Sequence, residues 1–425
     1  MTPLPGPTLP LSFRSRWSPL LGLLLLLTST PFQAWADRSQ LPAFRPPGQE
    51  LQREREQESI STGLFLANQR PPYGYLRGDH EVGNLLLLVW QPEWESAVKH
   101  LAAAAAKEME VQILVPRGAW HASRKLRRWA RRHCVDVSFQ RYDTAWIRDY
   151  GPLQFVHRGQ VTWGDFSYDP ARPEDDALPL QLAEDFHMPI ALRSERLDGG
   201  GLVSNGHGLC VMTDATLTES LAESGQHQTT AALASALGCR ALAVIGALPD
   251  EQTGHADVSV QFLDDNLVAI SYMDPHQAPV HALLLDQAAM IIQDAAERLG
   301  QPLKVIRVPM AHHNDVFYSY INMVRSQHTV FVPSYKGVPI EMEREAHRVL
   351  ARGLPNLRFV PVASDAIVEY GGALHCITLG LSVPTYRQQS SATCRRAKAA
   401  RKRHTPRSPK NRRSSSRALR KRHKA

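Results

Sequence analysis

Five short motifs hold residue types that could carry out covalent chemistry together. In Gly371-Gly372-Ala373-Leu374-His375-Cys376 a cysteine follows a glycine turn among small neighbours. That setting suits an accessible thiol nucleophile; burial as a small apolar side chain is the alternative. In Gly254-His255-Ala256-Asp257 the imidazole and the carboxylate would leave one face of a strand. They could then share a site, His255 as proton shuttle and Asp257 as charge anchor. A metal pair is the other reading, without an H-E-x-x-H spacing to support it. Trp146-Ile147-Arg148-Asp149-Tyr150-Gly151-Pro152 reads as a strand running into a turn, with Asp149 presented at the strand end or capping the turn. Leu197-Asp198-Gly199-Gly200-Gly201 puts three glycines after an acid, so the backbone is tight or a ligand comes close. It is not a phosphate loop, because neither G-x-x-x-x-G-K-[ST] nor a strand-linked G-x-G-x-x-G follows. The fifth motif is Ser319-Tyr320-Ile321-Asn322.

These motifs centre on Asp149, Gly200, His255, Tyr320 and Cys376, at separations of 51, 55, 65 and 56 residues. Such spacing is compatible with about five repeats of one supersecondary unit, each bringing a loop to a shared centre. The segments between them alternate in pattern. Strands are expected at Leu85 to Trp90, Val111 to Val115, Val135 to Phe139, Val258 to Phe262, Leu267 to Ser271, Val305 to Val308, Thr329 to Val332 and Arg358 to Val362. Helices are expected at Trp94 to Met109, Ser123 to Arg132, Leu283 to Leu299 and Ile340 to Arg352. Alternation of this kind predicts an α/β protein and leaves the sheet topology open.

The chain has 425 residues, 43% hydrophobic and 21% charged, which excludes a wholly disordered chain, a collagen and a polytopic membrane protein. Its net charge of +8 is unevenly placed: residues 395–425 hold fifteen Lys and Arg and no acid, while residues 37–394 hold 32 basic and 41 acidic side chains. A mildly acidic body thus carries a basic tail, read as 387–425 and disordered because like charges repel without a core. The tail is available to bind anionic surfaces or nucleic acid, or is a solvated extension. At the other end Arg14 and Arg16, the apolar run Leu20 to Leu27 and Ala34-Trp35-Ala36 read as a cleavable signal peptide over 1–36. That predicts a secreted or periplasmic protein with no transmembrane segment in the mature chain. Residues 37–62 read as a linker. Five cysteines and no C-x-x-C pair leave at least one thiol unpaired, and the pairing of Cys134, Cys210, Cys239 and Cys394 open.

Taken in order, Trp-x-Arg-Asp-x-Gly-Pro, Asp-Gly-Gly, Gly-His-x-Asp, Ser-Tyr-Ile-Asn and Gly-Gly-x-x-His-Cys resemble the agmatine deiminase and Porphyromonas-type peptidylarginine deiminase family, over residues 63–386. The resemblance implies a single catalytic domain with the pentein fold, a five-bladed pseudo-symmetric α/β propeller. It implies Cys376 as nucleophile, His255 as acid and base, and Asp149 and Asp257 as the carboxylates that grip a guanidinium. Trp146 is implied as an aromatic of the substrate channel. Arg148, Asp198, Gly200, Asn322 and Arg172 complete the expected substrate-contacting set. Asp198 stands where many relatives have Glu, Gly201 where many have Asn, and Ala373 replaces a third glycine.

These types suit that substrate. A guanidinium is a flat cation rich in N–H donors, so paired carboxylates fix its plane and neutralise it. Its carbon is a poor electrophile until a thiolate is held above the plane. The expected reaction runs through a covalent amidino-thioether and needs no metal, flavin or nucleotide. Two substrates compete: peptidyl or C-terminal arginine, converted to citrulline, and agmatine, converted to N-carbamoylputrescine. The signal peptide and the stretch from Asp165 to Asp176 favour the first. In that branch two arginines bind the substrate's carboxylate; Arg172 matches one, and Pro170 occupies the place of the other. A non-catalytic secreted scaffold, a cysteine amide hydrolase and an amidinotransferase are the readings from other classes.

Overall fold

Leu85–Val89 is a run of five apolar residues, all buried, and such a strand needs cover on both faces. It lies between Glu110–Pro116, with which it pairs in parallel, and Thr378–Leu381, with which it pairs antiparallel. The helix Glu95–Ala105 links the two parallel strands. The structure, a computed structural model, describes residues 62–72, 74–223, 229–384 and 394. The expected signal peptide, most of the linker and the basic tail beyond Cys394 lie outside the described residues.

The same arrangement recurs four more times. In each, an antiparallel strand is followed by two parallel strands joined through helix. The second set is Leu153–His157, Gln160–Ser167 and Ile190–Arg196, with the helix Leu178–Phe186. The third is Leu202–Ser204, Leu209–Thr213 and Ala241–Ile245, with the helices Asp214–Glu223 and Thr230–Ala236. The fourth is Val260–Asp264, Leu267–Tyr272 and Lys304–Pro309, with the helix Pro279–Arg298. The fifth is Val324–Arg325, Thr329–Ser334 and Arg358–Ala363, with the helix Ile340–Gly353. Extra strands extend three of the sheets, and the hairpin Ala311–His313 with Val316–Tyr318 stands apart. The first set is closed by Thr378–Leu381, the last strand of the described residues, so the end of the described chain returns to the sheet of Leu85–Val89.

The expected elements occur within a few residues of their predicted ends, because their signals were local. Pro279–Arg298 shows why: Ala282, Leu285, Ala289, Ile292 and Ala296 recur at three- and four-residue spacing and are buried, with alanines that let the helix sit close on the sheet. Burying each large aliphatic side chain of such a face contributes roughly 1.5–3 kcal/mol. The outcome is a mixed α/β protein whose apolar clusters lie between sheets and helices.

Candidate active site

Each of the five sets begins with a loop, and each loop carries one of the motifs. Asp149 precedes Leu153–His157, Asp198 precedes Leu202–Ser204, His255 and Asp257 precede Val260–Asp264, Asn322 precedes Val324–Arg325, and Cys376 precedes Thr378–Leu381. This is the physical content of the motif spacing: equal positions in equal units. Two local expectations are corrected. Trp146 to Tyr150 is no strand; the Asp149 N–H donates to the Trp146 carbonyl and the Gly151 N–H to the Ile147 carbonyl, closing one helical turn at Ile147–Tyr150. Nor do His255 and Asp257 leave one face of a strand, since a 3-10 turn at Ala256–Val258 separates their directions.

The loops bring their polar side chains together in a nearly closed site. Asn322 Nδ2 lies 3.3 Å from the Cys376 sulfur, and Asp257 Oδ2 lies 4.0 Å from it. His255 is held between two other acids, Nδ1 at 3.5 Å from Asp149 Oδ1 and Nε2 at 3.5 Å from Asp198 Oδ2. Gly200 permits this, because a Cβ there would stand 2.5 Å from Asp149 Oδ1 and 2.6 Å from His255 Nδ1. The thiol is 2% exposed and the Asp257 residue 0%, so the expected accessible cysteine is in fact buried. Cys376 is also the free thiol among the described residues: Cys134 pairs with Cys394 and Cys210 with Cys239.

Both oxygens of Asp149, both of Asp198 and Oδ1 of Asp257 are buried with no hydrogen-bond partner. Buried carboxylate oxygens without a hydrogen bond are costly, and beyond the His255 ring at 3.5 Å these five suit a further cation rich in donors. Their fields also set the neighbouring charges. Burial pushes Asp149 up to about 7; His255 pulls it down, while Asp198 and Asp257 add to the rise. Burial opposes the charge on His255, yet Asp149, Asp198 and Asp257 raise it to about 10. Burial, then Asp257 and Asp149, hold the Cys376 thiol well above its ordinary range. These groups therefore stand as an imidazolium and a neutral thiol at pH 7.

Behind this cluster runs a second, paired chain of charges. Asp257 Oδ2 meets His375 Nδ1 at 2.6 Å, and His375 Nε2 lies 3.7 Å from Asp79 Oδ2. Asp79 accepts two hydrogen bonds from Arg148, at 2.7 and 3.2 Å. Burial would raise Asp79, but Arg148 and then His375 hold it well below the usual carboxylate range. Burial and Arg148 oppose the charge on His375, and Asp257 and Asp79 nonetheless raise its pKa. Asp79 was not singled out from sequence, and His375 only as the neighbour of a cysteine. A lone aspartate in Gly78-Asp79-His80 has no local signal, since its partner lies 69 residues away.

Two openings flank the cluster. One, of about 350 Å³, shares Asn322 and Gly372 with the thiol's surroundings and is further lined by Glu251, Gln252, Asp315, Phe317 and Ser319. Two acids and no lysine or arginine line it. The other, of about 930 Å³, lies on the side of Asp79, Arg148 and His375, away from the thiol. Trp146 is fully buried beneath Gly372, its ring tilted against Trp94 with centroids 5.1 Å apart. Arg148 is committed to Asp79 and the Leu202 carbonyl. Arg172 is buried against Tyr168, to whose hydroxyl it donates at 3.1 Å, and Asp169.

Comparisons with known proteins bear on family and fold. A family model described as Porphyromonas-type peptidyl-arginine deiminase matches residues 89–381. The agmatine deiminase of Stutzerimonas stutzeri is 24% identical over 333 residues, which span 69% of this chain and 88% of that protein. That of Pseudomonas putida is 22% identical over 327 residues, spanning 68% of this chain and 87% of its own length. A solved agmatine deiminase from Enterococcus faecalis aligns with a TM-score of 0.61 at 20% identity, covering 75% of this chain and 99% of the other. At that identity the likeness shows a shared fold.

Proposed function

The chain belongs to the Porphyromonas-type peptidyl-arginine deiminase family, hydrolases of guanidino C–N bonds, and from that premise we propose that it deiminates a small guanidine with a cationic far end, of the agmatine type. The observation that carries this reading is the opening beside the thiol, lined by Asp315 and by Glu251, whose oxygens also accept from Thr253 and Gly254, and by no cation. An ammonium is attracted there; a terminal carboxylate would find no counter-charge. The named relatives that are agmatine deiminases support it as well. The five matching sheets support the five-bladed ring, and the two disulfides support an exported protein.

In this reading the guanidinium lies between Asp149 and Asp257 and satisfies their unpartnered oxygens. Its charge enters as the thiol proton leaves, so the buried charge stays constant. The sulfur attacks the guanidinium carbon. His255, already protonated, gives its proton to the amino group that departs as ammonia. An amidino-thioether remains. The neutral imidazole then takes a proton from water, the hydroxide adds to the carbon, and the C–S bond breaks as the hydroxyl proton passes to the sulfur, which releases the ureido product and restores the thiol. Acid and base help of this kind contributes ~10²–10⁴-fold.

Deimination of C-terminal peptidyl arginine is the second reading, favoured by the family description. Ammonia and ureido product, measured with agmatine, benzoyl-arginine and an arginine-ended peptide, separate the two. Turnover of agmatine above the others is expected. Turnover of the peptide alone overturns the small-cation reading, and no product from any substrate overturns the deiminase reading for this chain.

A further inference from the structure

The wider of the two openings, on the side of Asp79, is lined from all five sets. Gln154, Ser204, Gln261, Arg325 and Thr378 border it, one residue from the antiparallel strand of each set. Cys376, His255, Asp149 and Asp257 do not, so it is separate from the catalytic cluster. Gln154, Gln261 and Arg325 are each the second residue of their strand. Equal units thus put polar side chains at an equal place, where apolar ones would pack the space shut.

The charges there do not balance. Besides two histidines, the lining holds three guanidinium groups, Arg77, Arg148 and Arg325, against two carboxylates, Asp79 and Glu81. Arg148 is paired with Asp79. The other two arginines are half-buried and donate only to neutral acceptors. Arg77 donates to Gln154 Oε1, the Ser382 hydroxyl and the Val82 carbonyl, and Arg325 to the Leu263 carbonyl. Neither makes an ion pair among the described residues. Burial lowers the pKa of both; Glu81 and Asp79 act against it at Arg77, and Asp264 at Arg325, without cancelling it.

Unpartnered atoms mark the same place. Arg148 Nε, Arg325 Nε and Gln261 Oε1 are buried with no hydrogen-bond partner. Gln261 and Arg325 share one seam. Gln261 Nε2 lies 3.5 Å from the Met323 carbonyl, and Arg325 donates to the Leu263 carbonyl at 2.8 Å, so the fourth and fifth sets each reach across to the other. Water can fill a polar space and meet single atoms, but it does not neutralise two guanidinium groups.

We propose that this opening is a binding site for a small oxyanion, a carboxylate or a phosphate, held by Arg325 and Arg77 where the five sets meet. A guanidinium fork matches either group through paired N–H···O bonds. The bound anion supplies the missing negative charge and ties the antiparallel strands to one another, which stabilises the fold. The site is independent of the guanidine that the thiol takes, and its test needs no turnover.

Calorimetric titration of the full chain with inorganic phosphate and with acetate, each against chloride at matched ionic strength, tests the site. One saturable oxyanion per chain is expected, and the melting temperature should rise by about 2–5 °C as the site fills. Saturation separates binding from the general stabilisation by phosphate, which is excluded from protein surfaces. The tighter probe names the class. Arg325→Gln should weaken binding roughly tenfold or more, and so should Arg77→Gln, because each removes a charged donor. In chloride alone Arg325→Gln should melt no lower than wild type, which separates loss of the anion from loss of the fold. Cys376→Ala should bind the oxyanion as wild type does. No saturable binding of either probe, or wild-type binding by either Gln variant, overturns the proposal. So does displacement of the oxyanion by agmatine, which would place it in the catalytic cluster.

Discussion

Asp79 and Asp149 are both close to the helical turn Ile147–Tyr150, and their surroundings differ in the hydrogen bonds that reach them. Asp79 is saturated: Arg148 donates to it twice and His375 stands on its other side. Asp149, one residue along from Arg148, has two buried oxygens without a hydrogen bond and only the His255 ring at 3.5 Å. Burial acts on both in the same direction, yet Asp79 ends well below the usual range and Asp149 at about 7. The difference teaches how to read a buried acid. One whose partners are already present holds the protein together, and one whose partners are missing waits for a ligand.

The sharpest break of that comparison is at the thiol that faces the unsatisfied side. Cys376→Ala should abolish turnover, by on the order of 10⁴-fold or more, while the protein still binds a guanidine and melts as before. Next come the two acids. Asp149→Asn should lower kcat/KM by about 10²–10³-fold and leave stability unchanged or higher, because it removes a buried carboxylate that no hydrogen bond satisfies. Asp79→Asn should do the reverse in kind, costing about 3–5 kcal/mol of stability by stranding Arg148. Paired denaturation curves and steady-state kinetics check both; equal stability losses would erase the distinction drawn here.

His375→Gln tests the link between the two sides. It removes the 2.6 Å bond to Asp257. A hydrogen bond to a charged group contributes about 1.5–3 kcal/mol, so turnover should fall roughly ten- to hundredfold. The smallest effect is in the pH dependence of stability. Asp149 has its folded pKa raised from 3.8 to about 7, so between those values the unfolded chain has lost a proton that the folded one keeps. Stability from this group therefore falls as pH rises from about 4 to about 7. Asp79 is depressed, so its contribution is present above 3.8 and lost as pH falls below it. Melting temperatures of wild type and Asp149→Asn across this window should show the flatter slope in the variant. Guanidine binding should tighten as pH rises through about 7 in wild type only.

Much of the site was legible in the chain. Cys376, His255, Asp149, Asp257, Asp198 and Asn322 all announce themselves by short motifs, since glycines and polar residues at the head of a strand mark a loop that serves something. Their mutual approach in the structure follows from five units that place those loops alike. Arg148 and Arg172 were legible as residues but not in their roles. Each spends its charge within the protein, one on Asp79 and one on Tyr168 and Asp169. The helical turn at Asp149 was missed because a single turn has too little periodicity to register.

What the amino-acid order settled alone was whatever depends on near neighbours: the strand and helix segments, the five loop heads, the acidic body and the cationic tail. Side-chain periodicity and backbone freedom act over a few residues, so they can be read locally. The fold alone decided which charges are paired. Asp79 reaches Arg148 across 69 residues, His375 reaches Asp257 across 118, and Cys134 reaches Cys394 across 260. Electrostatic fate depends on distance in space and on exclusion of water, and neither is a property of position along a chain.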